Sequence, residues 1–94
     1  MAKWTSQKYK LKMGDDYQET EGSVCGQWGI DKRDGRYILT HVPTGCFVES
    51  ARTMRFLKNL VELPEFECYD GSKEATKKLA EAIGRYRNEM GWTA

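Results

Sequence analysis

The sequence predicts an α+β domain: an antiparallel β-meander of three or four strands, followed by two α-helices packed on one face of the sheet. Two patterns carry this prediction. Through the first half of the chain, apolar and polar residues alternate at the period of a β-strand. In the second half, apolar residues recur at the three- and four-residue spacing of helices. A sheet covered by amphipathic helices is the simplest arrangement that buries both sets.

The first predicted strand is half-buried and lies at an edge. Its apolar face carries Tyr9, Leu11 and Met13. Its other face is a row of lysines, formed by Lys8, Lys10 and Lys12. Lysines suit an edge strand because they discourage pairing with another sheet. The residues Gly-Asp-Asp at 14–16 then predict a turn.

The second predicted strand places Val24, Trp28 and Ile30 on one face. Two glycines within it, Gly26 and Gly29, indicate a bulge or the close approach of another backbone or ring.

Two further strands complete the predicted meander. Residues 31–35, Asp-Lys-Arg-Asp-Gly, predict a hairpin loop. Residues 36–42 are the strongest predicted strand because they are rich in β-branched and aromatic side chains. A turn at 42–45 leads to a short fourth strand at 46–49.

Helical spacing predicts a first helix through Met54, Leu57 and Val61, capped by Ser50 or Thr53 and ended by Pro64. Residues 65–69 alternate, which predicts a short edge strand or an extended connector. Residues 70–72 offer caps for the last helix, about 73–90. Its predicted apolar face consists of Ala75, Leu79, Ala82, Ile83, Tyr86 and Met90. Beyond its end, Gly91 is expected at C′ and Trp92 is expected to fold back onto Tyr86.

Length and charge limit the function. The 94 residues suit one domain, residues 1–94, and a chain this short does not easily build a deep catalytic pocket. With 15 Lys and Arg against 14 Asp and Glu, the net charge of +1 argues against a strongly basic nucleic-acid-binding protein. The N-terminus has no apolar signal segment, and no run is apolar enough to span a bilayer. We therefore expect a soluble, cytoplasmic protein.

The cysteines and the single histidine predict neither a metal site nor a cofactor. Cys25, Cys46 and Cys68 are widely spaced and form no CxxC pair. Their odd number fits a reducing cytoplasm, with the thiols as small buried hydrophobes. His41 and Cys46 flank a turn, so a thiolate–imidazole pair is conceivable and a small Cys/His enzyme is the least favoured alternative. We expect the chain not to be an enzyme.

Charge is segregated along the chain although its sum is near zero. A lysine-rich segment is followed at once by an acidic one, and aromatic residues, which are enriched at interfaces, make up 12 % of the chain. This pattern predicts a protein–protein interaction module with a charged and aromatic surface. The predicted partner-binding residues are Lys8, Lys10, Lys12, Asp15, Asp16, Glu19, Glu21, Arg33, Arg36, Trp28 and Tyr37. A homodimer through the sheet face or a free edge strand would also cover such a surface.

Single-stranded nucleic-acid binding is the main alternative. Small domains stack bases on exposed aromatic residues beside lysines. Here the same three lysines would follow the phosphates, with Trp4, Tyr17, Trp28 or Tyr37 as stacking platforms. The small net charge and the adjacent acidic stretch count against this alternative.

One segment, residues 37–48, is similar to a pattern found in known proteins. Its sequence is Tyr-Ile-Leu-Thr-His-Val-Pro-Thr-Gly-Cys-Phe-Val, and a predicted helix follows it. It resembles the strand–turn–strand–helix pattern of small accessory proteins encoded by phages and other mobile elements. The similar part is Thr-His-Val-Pro-Thr-Gly at 40–45. The resemblance implies a small protein that acts by binding in the host cytoplasm. Within that class, anti-CRISPR proteins inhibit a nuclease by contact, which implies a host nucleoprotein complex as the partner.

Overall fold

A computed structural model describes residues 3–90, which form five β-strands followed by three α-helices. The strands are β1 (Thr5–Met13), β2 (Asp16–Cys25), β3 (Trp28–Arg33), β4 (Arg36–His41) and β5 (Cys46–Ala51). The helices are α1 (Met54–Val61), α2 (Pro64–Glu67) and α3 (Lys73–Met90). This confirms the α+β class and the antiparallel sheet. The predicted numbers of strands and helices are each too low by at least one.

The strands neighbour one another in chain order, and every pair is antiparallel. Residues up to Leu57, which include the whole sheet, form one compact unit, and residues from Lys58 onward form a second. None of the helices within residues 3–90 has the length and apolar composition needed to cross a membrane.

The strand that the prediction omits is β2. It pairs with all of β1, from Met13 opposite Asp16 to Thr5 opposite Val24. Its first half is mostly polar, so it resembles an acidic loop in sequence. The single strand predicted through Val24 and Ile30 is wrong, because the chain turns at Gly26, whose φ is +59°. Glycine adopts this left-handed conformation at little cost.

The β3–β4 hairpin turns at Asp34 and Gly35, inside the predicted loop. Both residues have positive φ, +51° and +78°, as a type I′ turn requires. The loop is only two residues long because β3 continues through Arg33.

Most of β2 pairs with β1 alone, yet the β1–β2 hairpin contacts the rest of the sheet again near its tip. Only the last three residues of β2 pair with β3, from Ser23 to Cys25. Near the other end of the hairpin, the backbone N–H of Lys12 donates to the carbonyl oxygen of Gly45 at 2.8 Å. The edge strand β1 therefore contacts the β4–β5 turn.

A buried cluster of Tyr9, Leu11 and Val24 lies inside this curled sheet, with Val42 packed against it. The Tyr9 ring lies so close to Gly29 that a Cβ there would be 2.8 Å from Tyr9 Cζ. This contact matches one of the interpretations of Gly29 from the sequence, the close approach of a ring. Met13, predicted on the same buried face, is instead 49 % exposed, because it lies at the end of the strand beside the turn.

A buried carboxylate, Asp31, links three elements of the first unit. Arg33 Nε lies 2.8 Å from Asp31 Oδ2. The hydroxyls of Tyr9 and Thr20 donate to the two carboxylate oxygens at 3.4 Å each. Burial, and then the negative charge of Asp31, raise the pKa of Tyr9, so its hydroxyl stays protonated as a donor.

The helix boundaries follow from caps and one proline. Thr53 caps α1, as its hydroxyl accepts from the N–H of Phe56 at 3.2 Å. Ser72 caps α3 in the same way, accepting from Ala75 N–H at 3.1 Å. The predicted range of α3 is confirmed, and Leu79 and Ala82 on its apolar face are buried. The predicted roles of Gly91 and Trp92 lie outside the described residues.

Residues 64–67 form the short helix α2, so the predicted edge strand or extended connector there is wrong. Pro64 occupies the first turn of this helix, where its fixed φ is already helical. Phe66 is fully buried, and Arg85 of α3 donates to Glu65 at 3.0 Å. This hydrogen bond and the adjacent charge lower the pKa of the Glu65 carboxyl.

Candidate docking surface

The outward side of the β1–β2 hairpin brings together the basic and acidic segments of the sequence. Lys8 lies directly opposite Glu21, and Lys10 lies directly opposite Glu19. The next pair along the hairpin is Lys12 and Tyr17. We call this surface the hairpin face, and its six exposed residues are Lys8, Lys10, Lys12, Tyr17, Glu19 and Glu21.

These three pairs are of the non-hydrogen-bonded kind. The N–H of Lys12 points away from β2, since it donates to Gly45. Backbone directions repeat every second residue, so Lys10 and Lys8 are oriented alike. Side chains on directly opposite residues approach most closely in pairs of this kind. The hairpin face is therefore a mixed-charge surface, in which each of the two glutamates lies opposite a lysine.

An aromatic ring and a groove adjoin this pattern. Tyr17 is 58 % exposed, although it belongs to a regular strand. An open groove of about 410 Å³ is lined by Lys8, Lys10 and Tyr17 on one side and by residues 42–45 on the other, with Tyr9 also at its wall. The residues that line it include two lysines and no carboxylate.

The tip of the hairpin carries the other two predicted acids. Asp15 lies in the two-residue loop, and Asp16 lies opposite Met13. Both carboxylates are exposed. Because strand side chains alternate, Asp16 faces the side opposite to Tyr17.

Four predicted partner-binding residues belong to a different hairpin, β3–β4: Trp28, Arg33, Arg36 and Tyr37. Arg33 lies opposite Arg36, but the Arg33 guanidinium is held by Asp31. Lys32 Nζ lies 5.6 Å from the centre of the Tyr37 ring, within cation–π range. The predicted set of partner-binding residues is thus divided between two hairpins.

Trp28 does not contribute to an exposed surface. It is only 3 % exposed, at the start of the buried stretch of β3. Its ring packs against that of His41, with ring centres 5.2 Å apart. A ring this deeply buried is not accessible to a partner or a base, so the assignment of Trp28 to the binding surface is corrected.

His41 is also buried, and both of its ring nitrogens have polar neighbours. Nε2 lies 2.9 Å from Gln27 Oε1, and Nδ1 lies 2.9 Å from Thr44 Oγ1. Burial lowers the pKa of His41, which favours the neutral ring. With Gln27 Oε1 as the acceptor, a neutral ring carries its proton on Nε2, and Nδ1 then shares the single Thr44 hydroxyl proton with the carbonyl oxygen of His41, 3.3 Å from Thr44 Oγ1. His41 thereby joins the β2–β3 turn to the β4–β5 turn.

The three cysteines are free, and none is buried. Cys46 and Cys68 are exposed and Cys25 is partly buried, so the prediction of buried thiols is wrong. Cys46 lies opposite His41 in the strand register, but the ring nitrogens of His41 contact Gln27 and Thr44. Across residues 3–90, no group of three or more His, Cys, Asp or Glu residues is arranged to hold a metal ion.

Tyr17 is absent from the predicted partner-binding residues. From the sequence it is predicted only as a possible stacking platform for bases. A signal for it exists in the sequence: Tyr17, Glu19 and Glu21 share one parity of an alternating segment. An aromatic ring on the charged side of a strand is expected to be exposed. Recognising this signal requires the assignment of β2 as a strand.

No protein family, curated protein or solved structure matches this chain. The hairpin face and the groove beside it are therefore the features that bear on its function.

Proposed function

We propose that this chain is a non-enzymatic interaction module that binds a protein partner through the hairpin face. The strand register that places Glu21 and Glu19 opposite Lys8 and Lys10, next to the exposed Tyr17, carries the proposal. Tyrosine is among the residues that contribute most to binding energy at interfaces. Charges of both signs around it give orientation and specificity to the encounter.

The same pattern favours a protein over a nucleic acid as the partner. A nucleic-acid surface needs cations that follow successive phosphates without intervening negative charge. On the hairpin face, Glu21 and Glu19 lie directly beside two of the three lysines. Trp28, one of the proposed stacking platforms, is buried.

The finer proposal is that the module is a phage-type inhibitor that acts in the host cytoplasm. Its partner would be a host nucleoprotein or defence complex, blocked by direct contact in the manner of anti-CRISPR proteins. The resemblance of residues 40–45 supports this proposal. Residues 42–45 also line the groove beside the hairpin face, so the similar segment adjoins the proposed binding surface.

The decisive experiment exchanges charges without changing their sum. In the double variant Lys10→Glu, Glu19→Lys, the cross-strand pair is kept but its polarity is reversed. Its matched control is Glu74→Lys, Lys78→Glu, which reverses an exposed ion pair of α3. Immobilised protein of each kind is exposed to host lysate, and the captured proteins are compared.

The hairpin exchange is expected to abolish capture of the partner that the native chain binds, and the α3 exchange is expected to leave it unchanged. Tyr17→Ala should weaken capture as well, because it removes the aromatic anchor. Equal capture by the native chain and the hairpin exchange would contradict the proposal. Retardation of a labelled single-stranded oligonucleotide, with affinity falling steeply as salt rises, would support the nucleic-acid alternative instead.

A further inference from the structure

The outer edge of β1 carries backbone groups that no other strand of the described chain uses. β1 is the first strand of the sheet and pairs only with β2. The N–H of Lys12 points away from β2 and donates to Gly45. By the two-residue repeat of a strand, the N–H and C=O groups of Lys8 and Lys10 point to the same outer side. Within the described residues, no strand pairs with this edge before Lys12.

The β4–β5 turn already occupies one position along this edge. Gly45 accepts from Lys12, and it approaches so closely that a Cβ at this position would lie 2.8 Å from the carbonyl oxygen of Lys10. Toward the N-terminus of β1 lies the groove between Lys8, Lys10 and the turn. The groove therefore gives an extended segment room beside residues 8–10.

On the exposed face of β1, the side chains from Lys8 to Lys12 are all basic. Lys8, Lys10 and Lys12 recur at every second residue of β1, while Glu19 and Glu21 lie one strand further from the edge. A strand added beside β1 would place its own side chains opposite the lysines at the same two-residue period. Carboxylates at those positions would form favourable cross-strand pairs.

We propose that the outer edge of β1, residues 6–10, binds an extended acidic segment of the partner as an added β-strand, with Glu or Asp at alternate positions. This rests on the proposed function and names the chemistry of its partner. Backbone hydrogen bonds to the N–H and C=O of Lys8 and to the N–H of Lys10 supply the attachment, and the lysine side chains select for acid. Tyr17 and residues 42–45 line the groove that receives the segment.

A second copy of this chain fits the same edge poorly. Pairing β1 with β1 would bring the lysines of both copies onto neighbouring strands, where like charges directly opposite are destabilising. Lysine on an edge strand commonly prevents such self-association.

The test uses the full chain labelled with ¹⁵N and a short capped peptide in which Glu and Thr alternate. Adding this peptide should produce saturable shifts of the backbone amide signals of Ser6, Lys8 and Lys10. The matched peptide that alternates Lys and Thr should produce none. Shifts centred on the β3–β4 hairpin, equal binding of both peptides, or no binding of the acidic peptide would each contradict the proposal.

Two substitutions of Lys8 distinguish the contribution of its backbone N–H to peptide binding from that of its side-chain charge. Lys8→Pro removes an outward N–H that serves no β1–β2 bond, a place where an edge strand tolerates proline. It should weaken peptide binding at least about tenfold, whereas Lys8→Gln, which keeps the N–H, should weaken it about two- to fivefold. Unchanged amide signals of Val24 and Ile30 verify the fold. Native affinity of the folded Lys8→Pro protein would overturn the proposal.

The two proposals fail in different ways. If the hairpin charge exchange loses the partner but Lys8→Pro keeps it, the hairpin face is the docking surface and the added strand is wrong. If the hairpin charge exchange keeps the partner, the proposed function itself is wrong. A concentration-dependent dimer of the native chain that Lys8→Pro abolishes would assign the edge to a second copy and overturn the acidic-strand proposal.

Discussion

Individual glycines of this chain are required by their surroundings rather than by local flexibility alone. A Cβ on Gly29 would lie 2.8 Å from the buried Tyr9 ring, and a Cβ on Gly22 would overlap the carbonyl oxygen of Ile30. Gly84 differs, because nothing lies within 4 Å of its would-be Cβ. Two of these positions therefore allow the packing of the curled sheet, and the third only weakens a helix.

We expect opposite effects of alanine at two of these positions. Gly29→Ala should lower the free energy of unfolding by about 1–3 kcal/mol, since the Tyr9 ring must move to admit the methyl group. Gly84→Ala should raise it by about 1 kcal/mol, because alanine is the better helix former. Urea denaturation measures both. A Gly29→Ala protein as stable as the native chain would show that Tyr9 does not pack as described.

The buried His41 predicts a specific dependence of stability on pH. Its pKa is lowered by burial in the folded state, while the unfolded chain binds a proton near the ordinary value of about 6.5. The stability that neutral His41 contributes is therefore complete above that value and is lost as pH falls through the lower, folded pKa. Any group whose pKa is lower in the folded than in the unfolded state makes the protein less stable as the pH falls.

The measurement compares the native chain with His41→Gln by urea denaturation between about pH 7.5 and about pH 5.5. The native chain should lose more stability over this range than the variant does, whatever their stabilities at neutral pH. Parallel stability curves would contradict the account of His41.

At the level of elements, the predictions succeed where local signals and tertiary structure agree. The range of α3, its Ser72 cap and the turn containing Gly35 are all confirmed, because each depends on residues close in sequence. β2 is missed because pairing with β1, rather than an apolar face, makes its polar first half a strand. α2 is missed because its alternation resembles a strand, whereas Pro64 and the buried Phe66 favour a helical turn.

The Thr53 cap gives a prediction for α1. Thr53→Ala should lower the free energy of unfolding by about 1 kcal/mol, because the N–H of Phe56 loses its acceptor. Thr53→Ser keeps the hydroxyl and should retain most of that stability. Urea denaturation of both variants tests this, and equal losses would show that the hydroxyl does not act as a cap.

The edge geometry of β1 predicts an alternating pattern of hydrogen exchange in the free protein. The amides of Tyr9 and Leu11, which point toward β2, should exchange slowly, and so should that of Lys12, which donates to Gly45. The amides of Lys8 and Lys10 should exchange quickly. Uniform protection from Lys8 to Lys12, measured by NMR, would show that another part of the chain covers this edge.

At the scale of the whole molecule, the arrangement of charges says more than their sum. A net charge of +1 conceals a basic and an acidic segment, and both segments are visible in the sequence. That they face each other residue by residue is not visible there, since it depends on the register of β2 against β1. For the same reason the charges of the hairpin face are expected from the sequence, whereas the exposure of Tyr17 and the burial of Trp28 follow only from the fold.

The central claim is that this chain binds its partner through the β1–β2 hairpin. The most direct measurement is hydrogen exchange of the chain alone and in complex with the partner it captures. Binding should slow exchange in residues 6–12 and 17–21, with the largest change at Lys8 and Lys10, and should leave residues 32–37 of the β3–β4 hairpin unchanged. New protection confined to the β3–β4 hairpin or to α3, with the β1–β2 hairpin unaffected, would contradict it.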